Sequence, residues 1–175
     1  FLNTKYWIIN EKFLYFRKKL LDIKEKQKYH IVISMGGVDP NNLTLNVVNS
    51  IKDIKIINIT IIVGPLFDNL FQLNKIIKSY KNIKLIKSSN EIWKDLSKAD
   101  VAITNGGNTL FESCALSIPT LSIPDFKHEV KYSEAFMKEN FCVNLGLKQT
   151  NQEKINSNLL NLLENILLRK KMFYS

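Results

Sequence analysis

The chain has 175 residues, 45% of them hydrophobic, with 25 basic against 16 acidic side chains and a formal net charge of +9. That length suits one domain with a sizeable core, and the composition excludes intrinsic disorder. The longest apolar stretch, Ile56 to Val63, is interrupted by Asn58 and Thr60 and is far short of the roughly 20 apolar residues of a membrane span.

Along the chain, apolar runs alternate with amphipathic stretches. Phe1 to Lys28 stands outside this alternation: Lys5-Tyr6-Trp7-Ile8-Ile9 is strand-like but unpaired, and Phe13, Phe16, Leu20 and Leu21 outline a short helix. His30 to Met35 reads as the first strand, followed by Gly36-Gly37 and a helix from about Asn42 to Lys52. Ile56 to Val63 is the second strand, ended by Gly64-Pro65, with a helix from Asp68 to about Tyr80. Ile83 to Ile86 is the third, a loop at Ser88 to Asn90 follows, and a short helix runs from Glu91 to Lys98. Asp100 to Thr104 is the fourth strand, with a helix to about Leu116 after its glycine turn. Thr120 to Ile123, between two prolines, is the fifth, followed by a helix over Val130 to Lys138. Phe141 to Leu145 is the sixth, and Gln152 to Lys171 shows one long helical period.

Short β-branched runs alternating with helices predict a parallel sheet covered on both faces, a doubly wound, Rossmann-like α/β layout of about six strands. Right-handed crossovers then place every strand-to-helix loop on one edge of the sheet, where ligands bind. Four loops are expected to converge there: Gly36 to Asn42, Gly64 to Phe67, Ser88 to Ile92, and Asn105 to Thr109. The domain division expected is a connector over 1–28, a nucleotide-binding core over 29–150 and a C-terminal helix over 151–175, cut short at its end.

The strongest motif is Asn105-Gly106-Gly107-Asn108-Thr109-Leu110-Phe111-Glu112. A buried strand, paired glycines and a helix start present bare backbone N–H groups to an anion. Glu112, one turn on, places a carboxylate beside that anion. Phosphate on the amides and ribose hydroxyls on the carboxylate describe a nucleotide. Thr109 and Glu112 also stand at capping-box spacing, which would make Glu112 a structural cap instead. Gly36-Gly37-Val38-Asp39-Pro40 is a second glycine turn, but it is neither GxGxxG nor a Walker loop, so NAD binding and ATP hydrolysis are unsupported.

Several classes find no support. Cys114 and Cys142 are isolated, without CxxC, and read as buried thiols of a reducing compartment; no metal set is expected. The lysines are scattered. The two clusters, Arg17-Lys18-Lys19 and Arg169-Lys170-Lys171, read as solvated helix faces, so nucleic acid is not an expected partner. No charged-then-apolar leader opens the chain, and a cytoplasmic location is expected. His128, in Asp125-Phe126-Lys127-His128-Glu129, follows the fifth strand on the ligand edge and could touch a sugar or phosphate. No Ser/His/Asp set is visible.

Ile33-Ser34-Met35-Gly36-Gly37-Val38-Asp39-Pro40-Asn41-Asn42-Leu43-Thr44, together with Ala99 through Glu112, resembles the C-terminal half of the UDP-sugar hydrolases of pseudaminic acid biosynthesis. Lys5 through Phe13 resembles their interdomain stretch. These hydrolases are similar to the N-acetylglucosaminyltransferase of peptidoglycan synthesis, a GT-B enzyme. The resemblance implies half of a GT-B fold and a UDP-sugar substrate, with the diphosphate on the amides of Gly106, Gly107, Asn108 and Thr109. It implies ribose hydroxyls on Glu112, uracil against Glu91-Ile92, and Gly36 and Gly37 facing the diphosphate or sugar across a cleft. Asn105, His128 and Glu129 complete the expected substrate-binding set; such hydrolases carry Asn-Gln where this chain has His128-Glu129. The family's catalytic histidine belongs to an N-terminal half. That half is the expected partner, no catalytic residue is assigned here, and the chain alone is expected to bind UDP weakly and turn over nothing. A GT-B glycosyltransferase domain and a non-catalytic nucleotide-sugar-binding module are the alternatives.

Overall fold

Each apolar run of the first five units forms a strand, and a glycine, a proline or a polar residue follows it. A computed structural model of the chain describes residues 8–18, 22–147 and 151–174. The strands are β1 Tyr29–Ser34, β2 Ile57–Val63, β3 Ile83–Lys87, β4 Val101–Thr104, β5 Thr120–Ser122 and β6 Cys142–Asn144. They form one sheet in the order β3-β2-β1-β4-β5-β6, every neighbouring pair parallel. The helices are α1 Glu11–Tyr15, α2 Leu43–Ile51, α3 Leu70–Ile77, α4 Ile92–Leu96, α5 Asn108–Ala115, α6 Lys127–Lys138, α7 Gln152–Glu164 and α8 Ile166–Tyr174. This is the expected doubly wound α/β layout. Its order reverses between β1 and β4, the switch point where such sheets open a crevice.

Alternation along β1 shows how both faces are filled. Ile31 and Ile33 join a core with Val47, Val48, Leu73, Leu159 and Leu162. Val32 points to the other face and joins Leu96, Ala102, Leu116 and Phe13. Each of these is at most 3% exposed, worth about 1.5–3 kcal/mol per large side chain. Phe13 brings α1 onto this second face, edge-on to Trp93 at 6.0 Å. The expected contributions of Lys5 to Trp7 and of Leu20 and Leu21 lie outside the described residues.

Three expectations on local structure change. The long C-terminal helix is two helices. Asn165 leaves the helical region at φ −96°, ψ 87°, and its side chain accepts from Leu168 N–H at 2.9 Å, so one residue ends α7 and caps α8. Helix α6 begins at Lys127, earlier than the apolar period suggested, and takes His128 and Glu129 into its first turn. Arg169 is not on a solvated face; it is 2% exposed. Its guanidinium donates to the carbonyls of Leu162 and Leu163, orphan acceptors in the last turn of α7, and lies 5.1 Å from the Tyr29 ring. It also reaches the Lys24 carbonyl at 3.4 Å, tying the connector to the C-terminal helices.

Candidate functional site

The loops at the carboxyl ends of β1, β2, β4 and β5 meet at the switch point. Gly36 stands at φ +85°, a conformation that side chains strain to adopt, and a Cβ there would lie 3.2 Å from Asn105 Nδ2. The backbones of Gly37 and Gly64 nearly touch: a Cβ on Gly64 would come within 2.3 Å of the Gly37 carbonyl oxygen. The β1–α2 loop is therefore wedged between its two neighbours. Asp39 holds its shape. The buried carboxylate accepts from Leu43 and Thr44 N–H, both at 2.8 Å, and so caps α2. Burial pushes the Asp39 carboxyl above its usual range; the bonds from Thr44 and Leu43 oppose the shift, and Asp125 nearby adds to it. Asn41 donates to Asp125 at 2.6 Å, joining the β1 and β5 loops.

The β4–α5 turn is built around Glu129. This carboxylate, 4% exposed, accepts from Asn105 Nδ2 at 3.0 Å, Gly106 N–H at 3.4 Å, Asp125 N–H at 2.7 Å and Phe126 N–H at 3.4 Å. The last of these is half of a capping box, since Phe126 has no side-chain acceptor to complete it. Gly106 fits only as glycine: a Cβ would lie 2.6 Å from Glu129 Cβ, 2.7 Å from its carbonyl oxygen and 2.8 Å from Ser133 Oγ. The Gly107 N–H meets Asn105 Oδ1 at 3.3 Å.

This narrows the amide cradle. The N–H groups of Gly106 and Gly107 already have protein acceptors, so the glycines act by letting the turn close on α6. The N–H groups of Asn108 and Thr109, first and second in α5, have no acceptor among the described residues. These are orphan donors at the positive end of a helix. Glu112 follows Asn108 by four residues and shares its side of the helix. The Thr109–Glu112 capping box does not form: the N-cap is Gly107, and Glu112 accepts no hydrogen bond among the described residues. Burial alone raises the Glu112 carboxyl above its usual range. Among the described residues, this half-buried carboxylate has no donor and the two amides have no acceptor, a complement that a ligand bringing both donor and acceptor could fill.

The remaining predicted residues are placed differently. His128 is exposed on the first turn of α6, stacked on Phe126 with ring centroids 5.7 Å apart and an interplanar angle of 10°. Ile92 opens α4, and its side chain packs on the core cluster of Val32 and Leu96. Sequence reasoning missed Asp125 and Asn41 as the latch between loops. It also took Asp39 for a turn former only. The available signal was Asp39 four residues before an apolar helical period, and Asp125 following a strand-ending proline.

Among the described residues, no helix is long and apolar enough to cross a membrane. Residues 12–173 match the glycosyltransferase family 28 C-terminal domain. An uncharacterized protein of Methanocaldococcus jannaschii is 31% identical over 89% of this chain and 31% of its own length. The UDP-2,4-diacetamido-2,4,6-trideoxy-beta-L-altropyranose hydrolase of Campylobacter jejuni is 30% identical over 79% of this chain and 48% of its own. Among solved structures, Acinetobacter baumannii MurG superposes with a TM-score of 0.72 at 16% identity, over 92% of this chain and 48% of that one. The chain thus spans between about a third and a half of these relatives.

Proposed function

The chain belongs to the family of glycosyltransferase family 28 C-terminal domains, and from that premise we propose that it is the nucleotide-binding half of a two-domain UDP-sugar hydrolase. The observation that carries the reading is the pairing on α5 of two amides, Asn108 and Thr109, that have no acceptor among the described residues with the carboxylate of Glu112, which has no donor among them. The diphosphate of UDP sits on the amides, at the positive end of the helix. The ribose hydroxyls donate to Glu112. Uracil lies against Glu91 and Ile92. Gly36 and Gly37 face the diphosphate across the crevice, and exposed His128 reaches the sugar. Asn105, Gly106, Gly107 and Glu129 hold the turn rather than the ligand.

In the reaction, water attacks the anomeric carbon and the bond from that carbon to the UDP oxygen breaks. Negative charge grows on the leaving diphosphate, and the Asn108 and Thr109 amides stabilise it without reorganising. The water is positioned by a second, N-terminal half. The hydrolase relative supports this assignment. The family description and the likeness to MurG favour transfer of the sugar to an acceptor as the second reading. Both use the same nucleotide site.

The binding half of the proposal is tested by titrating the chain with UDP and following amide shifts. Saturable shifts greatest at Asn108, Thr109 and near Ile92 are expected. Their absence there defeats the site. The reaction class is decided on the protein carrying both halves: release of UDP from a UDP-sugar in water alone means hydrolysis, and dependence on an acceptor means transfer.

A further inference from the structure

The far end of the sheet, where the strands begin and α4 and α5 end, carries a second feature that the nucleotide site does not use. Arg17, Lys18, Asp22, Lys24, Lys26 and Ser97 are among the residues that line a cavity of about 420 Å³ there. Four of them are cations and one is a carboxylate. Asp100 lies behind them, but its charge is already engaged: one oxygen takes Lys26 Nζ at 2.6 Å and the other accepts His30 N–H at 2.8 Å. Lys18 is left short. Its side chain is 11% exposed, and its ammonium stands 3.9 Å from Asp100 Oδ1, beyond hydrogen-bond distance. Burial lowers its pKa, the mark of a cation whose lost hydration is poorly replaced. Arg17 gives its Nε to Ser117 Oγ at 2.6 Å, and its terminal nitrogens find no acceptor among the described residues.

The charges do not balance. Asp22 and Asp100 offset two of the four cations. The carboxyl ends of α4 and α5 supply at most about half a negative charge each. About one positive charge is left over, inside a concavity and not spread on a convex face. We propose that this cavity is a binding site for an oxyanion of the phosphate class, separate from the nucleotide edge. The anion accepts from Lys18 Nζ and the free end of Arg17, with Lys24 closing the rim. The phosphate group belongs either to a free phosphate compound or to a lipid headgroup at a membrane surface, and the chemistry of the cavity is common to both.

The test titrates the full chain with inorganic phosphate at constant ionic strength, made up with chloride, and reads backbone amide shifts. Saturable shifts are expected at Arg17, Lys18, Lys24, Lys26 and Ser97. Lys18→Met keeps the length of the side chain and removes its charge; it weakens this binding at least tenfold and leaves any shifts at Asn108 and Thr109 unchanged. Lys24→Gln changes an exposed residue, folds in any case, and weakens binding to a lesser degree. Sedimentation with phosphatidate vesicles against phosphatidylcholine vesicles separates the two sources. Selective pelleting that phosphate displaces assigns the headgroup, and phosphate binding without pelleting assigns the free compound. Shifts that never saturate, or that are the same in both variants as in the parent, overturn the proposal.

Discussion

Replacing Glu112 by glutamine should make the chain more stable and a poorer binder at once. Among the described residues the fold offers this carboxylate no donor, and burial raises its pKa above that of the unfolded chain. For an acid shifted this way, the stabilising contribution is complete below the unfolded pKa and is lost as pH rises through the folded one. At neutral pH the parent therefore carries an ionised group that the fold disfavours. Glutamine removes that charge without changing the shape. The melting temperature of Glu112→Gln should exceed the parent's at neutral pH, and the gap should close as pH falls through the carboxylate range. UDP binding should move the other way. Hydrogen bonds to a charged group contribute about 1.5–3 kcal/mol, so losing the charged acceptor should weaken UDP about 10- to 150-fold. Parent affinity should likewise fall towards that of the variant as Glu112 protonates. Differential scanning calorimetry and UDP titration calorimetry across that pH range read both effects. A variant that binds UDP like the parent at neutral pH, or that melts lower, refutes the reasoning.

Gly106→Ala places a methyl within 2.8 Å of Glu129 and Ser133, against a backbone carbonyl that cannot give way; a stability loss of about 1–3 kcal/mol in urea denaturation is expected, with weaker UDP binding. Glu129→Ala strips the acceptor from buried Asp125 and Gly106 N–H groups and should cost about 2–4 kcal/mol, most of it recovered in Glu129→Gln, which keeps an acceptor oxygen. Arg169→Ala leaves the Leu162 and Leu163 carbonyls without their donor and opens a cavity beside Tyr29. A loss of about 3 kcal/mol is expected, lowering the thermal midpoint by roughly 6–12 °C.

The sheet was legible in the sequence because its central strands β1, β2 and β4 are buried on both faces. Ile56 to Val63 and Asp100 to Thr104 are apolar runs with few other solutions, and the glycine and proline residues after them mark where each strand must stop. The loops of β1, β2 and β4 were expected on one edge, and Gly36, Gly37, Gly64 and Asn105 meet there. Less legible were features set by individual side-chain contacts. Asn165 sits within an unbroken helical period, yet its backbone leaves the helical region and its side chain caps the next helix through Leu168 N–H. Arg169 looks solvated beside Lys170 and Lys171, yet two carbonyls of the preceding helix and an aromatic ring draw it inside.

The site divides along the same line. A strand, two glycines and a helix start are local facts, and they place orphan N–H groups at the tip of α5 whatever surrounds it. Which of those groups remain open is a question of what lies opposite. Glu129, more than twenty residues away in sequence, takes the Gly106 N–H and steadies Asn105, which takes the Gly107 N–H. That leaves the N–H groups of Asn108 and Thr109 and the carboxylate of Glu112 without a partner among the described residues. Short-range patterning is enough to specify turns and helix ends, because their hydrogen bonds run between near neighbours, and it marks strands by their local apolar runs although their partners lie tens of residues away. The allocation of donors and acceptors across loops depends on how distant segments approach, and that the folded chain alone decides.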